Sequence, residues 1–182
     1  MRLLIISDTH DNLANLSKLI STQDYVSSTI VMHLGDFVSP FTLKALLDTG
    51  KEVIGVFGNN DGDKAKMKEL LPSLEDQPVV RFFRGVRFVM FHGFKSPEIT
   101  EEVITSFARG CNGSNVVLYG HTHKYVLRVA GRSMILNPGA LSGYLTDRPT
   151  YGLIELAESR IVAYIKDLIS GEVLERLELP QN

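Results

Sequence analysis

The feature that most constrains the fold of this sequence is a unit that recurs six times: a short apolar run that breaks off in glycine and metal-binding side chains. Residues 2–6 lead into Ser7-Asp8-Thr9-His10, residues 29–34 into Gly35-Asp36, and residues 52–57 into Gly58-Asn59-Asn60-Asp61. Residues 86–91 lead into His92-Gly93, residues 115–119 into Gly120-His121-Thr122-His123, and residues 133–136 into Asn137-Pro138-Gly139. Runs of four to six residues rich in Val, Ile and Phe are too short for buried helices and read as buried strands.

Helical patterns fall between several of these runs. Residues 11–22 put Leu13, Leu16, Leu19 and Ile20 on one face. Ser39-Pro40 has the form of an N-cap followed by proline at the first helical position, opening a helix over 41–48. Ser96-Pro97 repeats the device, with Ile99, Val103, Ile104 and Phe107 as its apolar stripe. Strand alternating with helix predicts right-handed βαβ units and a mostly parallel sheet through residue 60. Beyond residue 150 the pattern changes. Residues 151–156, 160–168 and 172–179 read as consecutive antiparallel strands with tight turns, one at Ser170-Gly171, expected in a second sheet packed on the first. The expectation is an α/β fold of two sheets with helices outside, as one domain over residues 1–182.

With 44% hydrophobic and 22% charged residues, the chain has the composition of a soluble globular protein, without low-complexity tracts or repeats. A formal charge of -2 and the lack of a basic stripe with interleaved aromatics give no indication of nucleic-acid binding. Positive charge for an anionic substrate must therefore be supplied locally. The opening apolar run is too short for a signal peptide, and no stretch is long enough to span a membrane. Cys111, alone in the sequence, cannot form an internal disulfide; it reads as an inert thiol in a turn and agrees with a cytoplasmic location. Asn112-Gly113-Ser114 matches a glycosylation sequon that has no meaning without export.

Ligands of open α/β sheets bind beyond the carboxyl ends of the strands, so the six run ends are expected on one rim. Asp8 and His10 are two residues apart, as are His121 and His123, and on extended chain such pairs point to the same side. Four of the five histidines, with Asp8, Asp36 and Asn59, sit at run ends; His33 lies within a run and reads as a core or supporting residue. Imidazole, carboxylate and one amide, without thiolate, suit divalent Mn, with Ni, Fe, Co or Zn also accommodated. Seven ligands are too many for one small ion and suit two, with Asp36 as the natural bridge.

At these blocks, Asp8-Thr9-His10, Gly35-Asp36, Gly58-Asn59-Asn60-Asp61, His92-Gly93 and Gly120-His121-Thr122-His123, the chain resembles the calcineurin-like metallophosphoesterases, especially their small prokaryotic phosphodiesterase branch. The resemblance implies a four-layer αββα sandwich of two mixed sheets flanked by helices. It also implies that Asp8, His10 and His123 hold one metal, Asn59, His92 and His121 a second, and Asp36 both. Two such ions clamp a phosphate ester and supply a bridging hydroxide for in-line attack. Two dications less two carboxylates and a hydroxide leave about one net positive charge, which matches a phosphodiester. The chain departs from the wider family at Asn60, where a histidine is common and where asparagine cannot act as an acid. Asp61 either orients a ligand or caps the helix near Lys64. Asn60 and Asp61 are therefore the candidate catalytic residues beyond the ligands, and the substrate is expected to be a small phosphate ester. The alternative is a protein-binding scaffold of the same fold, like the retromer subunit, in which metal-site residues are replaced.

Overall fold

The computed structural model describes residues 1–112 and 115–181. The sequon and the turn expected at Cys111-Asn112-Gly113-Ser114 rest on Gly113 and Ser114 and so lie outside the described residues. In chain order, β1 (Arg2–Ile6) leads through α1 (Leu13–Ile20) and α2 (Gln23–Ser27) to β2 (Ile30–His33). Next come α3 (Pro40–Leu47), β3 (Glu52–Gly55), α4 (Lys64–Leu70) and the hairpin β4 (Val79–Phe83) and β5 (Val86–Met90). After α5 (Pro97–Gly110) follow β6 (Asn115–Leu118) and the hairpin β7 (Val126–Ala130) and β8 (Ser133–Asn137). The series ends with β9 (Thr150–Leu156), β10 (Arg160–Asp167) and β11 (Val173–Pro180).

The strands form two mixed sheets, ordered β11-β10-β9-β1-β2-β3 and β4-β5-β6-β8-β7. In the first, β1, β2 and β3 run parallel, as the strand–helix alternation requires. The sequence expectation for the last three strands is corrected here. They do not build the second sheet; β9 pairs antiparallel with β1, from Arg2 opposite Glu155 to Ile5 opposite Gly152, and extends the first sheet. The second sheet is made by the strands of residues 79–137 instead. A strand's composition marks it as a strand but leaves its neighbour open, and β1 has two edges to fill.

Alternation along the strands sets the layers. In β1, Leu3 and Ile5 face the core between the sheets, where they meet Phe88, Met90, Leu118 and Leu136. Leu4 and Ile6 face the opposite way, under Leu16, Leu19, Leu43, Leu46 and Met67 of α1, α3 and α4. On the far side, Ile104 and Ala108 of α5 cover Val89, Val117 and Ile135. The result is helix, sheet, sheet, helix.

Serine caps at Ser39 and Ser96 start α3 and α5, each with proline in the first turn, as the sequence predicts. The stripes are narrower than expected. Leu13 is 45% exposed, and the helix expected over 11–22 is shorter, α1 over Leu13–Ile20, with a separate short helix α2 beyond it. On α5, Ile99 and Val103 are 41% and 37% exposed, because the sheet is met by Thr100, Ile104 and Ala108.

Candidate metal centre

The carboxyl ends of β1, β2 and β3 and those of β5, β6 and β8 open onto one cleft, bringing together side chains far apart in sequence. Asp8, His10, Asp36 and His123 offer ligand atoms that all lie within 4.8 Å of one another. His10 Nε2 and His123 Nε2 face each other at 3.3 Å, and His123 Nε2 is 3.3 Å from Asp8 Oδ1. Beside this group, His92 Nε2 is 2.9 Å from Asn59 Oδ1 and 3.5 Å from Asp36 Oδ1. The other oxygen of Asp36, Oδ2, lies 3.6 Å from His10 Nε2. One carboxylate thus stands between two sets of histidines, with an oxygen toward each.

The convergence does not arise from extended chain, as the i, i+2 spacing led us to expect. Asp8, His10, Asp36, His121 and His123 all have left-handed backbone, with φ from 42° to 67°. Each such residue costs on the order of 1–2 kcal/mol for a side chain with a Cβ. Strain concentrated on five candidate ligands marks a site whose geometry is imposed by the surrounding sheets. Close approach does the rest. A Cβ on Gly58 would lie 2.2 Å from Asp36 Oδ1, so only glycine lets the two run ends touch. Gly35, at φ +94°, would press a Cβ to within 2.6 Å of His92 Nδ1.

Supporting hydrogen bonds fix which ring nitrogen is free. His92 Nδ1–H donates to the Leu34 carbonyl at 2.7 Å, and His123 Nδ1–H to that of Tyr144 at 2.8 Å, leaving Nε2 of each ring to accept a cation. His121 Nε2 donates to the Lys95 carbonyl at 3.3 Å, leaving Nδ1. His33 takes the supporting place read from the sequence. It is fully buried and stacked on Phe37 at 3.5 Å. Its Nδ1 accepts from the Gly35 N–H, so Nε2–H donates to Thr9 Oγ1 at 2.9 Å, and Thr9 donates to the Asp36 carbonyl at 3.2 Å. Burial lowers the His33 pKa to about 3, so this chain carries a neutral imidazole.

Asp61 does not cap α4; Asp63 does, by accepting from Lys66 N–H. Asp61 instead accepts from the N–H groups of Asp36 at 3.2 Å, Gly58 at 2.6 Å and Val38 at 2.8 Å, tying the β2 and β3 ends together. Burial raises its pKa, aided by the Asp36 charge and opposed by those N–H groups. Asn60 donates from its backbone to Asp36 Oδ1 and from Nδ2 to Oδ2, both at 2.8 Å. Sequence reasoning missed Gln77, whose Oε1 accepts from His92 and Gly93 N–H at 2.7 and 3.0 Å. It also missed Tyr144, whose ring lies 5.7 Å from that of His10. No pattern in the sequence marks either one.

The residues fit divalent metal. Asp8 Oδ1 is buried without a well-aimed hydrogen-bond donor. Burial works against ionising Asp8, but the adjoining His123 imidazole and the His92 ring outweigh it and hold the carboxyl below its ordinary range. Two ligands on one ion at bonds of about 2.0–2.1 Å stand about 2.9–3.4 Å apart. The His10–His123 and His92–Asn59 separations, 3.3 and 2.9 Å, have that spacing.

A two-sheet sandwich with an Asp/His centre at the shared strand ends is the architecture of a metal-dependent phosphoric ester hydrolase. The chain belongs to the calcineurin-like phosphoesterase superfamily, whose domain model matches residues 1–159. It is 35% identical over 160 residues to Phosphodiesterase MJ0936 of Methanocaldococcus jannaschii, covering 85% of this chain and 93% of that one. A solved archaeal phosphodiesterase is similar over 99% of both chains at 32% identity, with a TM-score of 0.71. Vacuolar Protein Sorting 29 from Cryptosporidium parvum shares the fold at 21% identity, with a TM-score of 0.72 over 99% of this chain and 98% of that one. No helix among the described residues is long and apolar enough to cross a membrane.

Proposed function

We propose that this protein is a two-metal phosphodiesterase. Asp8, His10 and His123 hold one ion, Asn59, His92 and His121 the other, and Asp36 both. The observation that carries the proposal is the two-sided Asp36 carboxylate, with Oδ1 toward His92 and Oδ2 toward His10. When bound, the two ions supply positive charge for the phosphate and make a water acidic enough to ionise near neutral pH.

The rest is the work of the chain. Asn60 and the Asp61-bound loop hold Asp36 at a fixed angle, so its two oxygens keep separate ligand sets. The carbonyls of Leu34, Tyr144 and Lys95 hold the rings of His92, His123 and His121 with their free nitrogens inward. No side chain at position 60 can protonate a departing oxygen, which favours esters whose alcohols leave as stable anions. Four histidines suit Mn²⁺ better than Mg²⁺, which prefers oxygen ligands. The phosphodiester preference follows the archaeal relatives and the charge balance of the site. A chain with one cysteine fits work in the reducing cytoplasm. The scaffold alternative is disfavoured because the candidate ligand set is complete.

Stripping with excess chelator should abolish hydrolysis of a nitrophenyl diester. Mn²⁺ should restore it at least as well as Mg²⁺, with diesters cleaved faster than monoesters. Full activity in the metal-free protein would sink the two-metal reading, and faster monoester cleavage would overturn the diester preference.

A further inference from the structure

α5 carries more apolar surface than the sheet beneath it uses. Ile99 and Val103, one helical turn apart, were expected in its buried stripe, yet they stand 41% and 37% exposed. They line a cleft of about 480 Å³ together with Gln77, Gly93, Phe94 and Lys95. Gly93 directly follows the candidate ligand His92. A smaller cleft of about 160 Å³, lined in part by Asn59 and His92, shares Gln77 and Gly93 with it. The two adjoin at Gln77 and Gly93, a groove that runs beside the second-ion side of the centre and ends on an apolar shelf.

The shelf is built firmly. The Phe94 backbone is clamped on both sides by Thr100: its N–H donates to Thr100 Oγ1 at 2.8 Å, and its carbonyl accepts from the same hydroxyl at 2.9 Å. The Phe91 ring supports that of Phe94 at 6.0 Å. Gln77 Nε2 donates to the Gly93 carbonyl at 2.7 Å, fixing the wall that the two clefts share. Lys95 lines the larger cleft, while on the smaller one Lys64 is paired with Asp76 at 3.4 Å. An anionic head at the metals with an apolar body along the groove matches this sequence of charge and surface.

We infer that this groove seats an apolar ester substituent, so that the preferred substrates are phosphodiesters bearing an aryl or branched alkyl group. The inference rests on the two-metal reading above. Apolar discrimination of this kind in a pocket amounts to roughly 10–200-fold, and an open groove belongs at the low end.

The test uses the Mn²⁺-loaded protein hydrolysing bis(4-nitrophenyl) phosphate, with phenylphosphonate and methylphosphonate as competing inhibitors. Each inhibitor has a single substituent, so the ratio of their inhibition constants reads the groove whichever ester group leaves. Phenylphosphonate should bind about tenfold more tightly than methylphosphonate. Ile99→Asp and Val103→Asp should bring the ratio close to one, and Ile99→Leu should keep it. Taking a ratio cancels the effect of the added charge on the shared phosphonate head. A wild-type ratio near one, or a ratio unchanged in both Asp variants, overturns the inference while leaving the phosphodiesterase reading in place. Failure of the wild type to hydrolyse the diester would instead remove that underlying reading. If Ile99→Asp splits an oligomer in sedimentation without moving the ratio, the shelf is an interface between copies and the inference is wrong.

Discussion

Asp36 and Asp61 are neighbouring buried carboxylates with different tasks, and substitution separates them. Asp36→Asn replaces an oxygen facing one histidine group with an N–H₂ that cannot ligate, so turnover and metal content should fall together. Asp61→Asn keeps one acceptor and turns the other into a donor aimed at backbone N–H groups, which disturbs Asp36 at one remove. Losses through such supporting residues run to about 10–100-fold, and Asp36→Asn should exceed them. Near-wild-type turnover with two metals bound in Asp36→Asn would refute the bridge. At position 60 the change should run the other way. Asn60→His offers an acid worth on the order of 10²–10⁴-fold for an alkyl leaving group, little for nitrophenolate, and adds a basic limb to the pH profile. Equal effects on both esters, without a new limb, would remove the missing-acid idea. The seven candidate ligands were legible because their donor chemistry is written in residue type. Gln77, Thr9 and the Tyr144 carbonyl act through hydrogen bonds that any polar residue or peptide group could make, so nothing in the sequence singled them out.

Among the elements, nearly all strands announced themselves, the edge strands β3 and β11 included, but β4 and β7 did not. β4 and β7 were passed over because each is an edge strand interrupted by an arginine, Arg81 and Arg128, and shows no continuous apolar run. Their turns held the available signal: Arg84 and Gly85 both have positive φ, as a type I′ hairpin requires, and Gly131 sits at φ +62°. Helix starts were legible from their Ser-Pro caps, whereas the width of the buried stripe depended on a sheet not yet placed. The contact between the β2 and β3 ends can be tested at Gly58. Gly58→Ala puts a methyl group on the Asp36 carboxylate, an overpacking that costs about 1–3 kcal/mol. For a chain of this size that lowers the melting temperature by roughly 2–12 °C. Turnover should fall further than stability accounts for, since the displaced atom is a proposed ligand. A Gly58→Ala protein with normal turnover would show that Asp36 can move without consequence.

For the molecule as a whole, the buried neutral His33 links stability to pH. Its folded pKa, about 3, lies below the ordinary value of 6.5. The unfolded chain therefore takes up a proton below about pH 6.5 that the folded chain refuses, and stability is lost as pH falls from there toward 3. By pH 5 this amounts to about 2 kcal/mol. His33→Gln should be less stable at pH 7 yet lose less between pH 7 and pH 5 in urea unfolding. A parallel fall in both proteins would mean that His33 charges as readily folded as unfolded.

The place of β1 between β2 and β9 also has a consequence for how the protein is made. β1 pairs with residues 152–155, about 150 positions downstream, and at ribosomal speeds those residues follow after about 8–30 s. Through that interval the strand that ends in Asp8 and His10 has one edge open. The Leu141 and Ser142 N–H groups that bond to the Ser7 and Asp8 carbonyls are also still to come. A nascent chain cut short before β9 would hold all seven candidate ligands and the β2 side of their framework, but not the strand that closes the other edge of β1. A product truncated there is left with an unpaired strand edge, open to another chain, directly beside its candidate ligands.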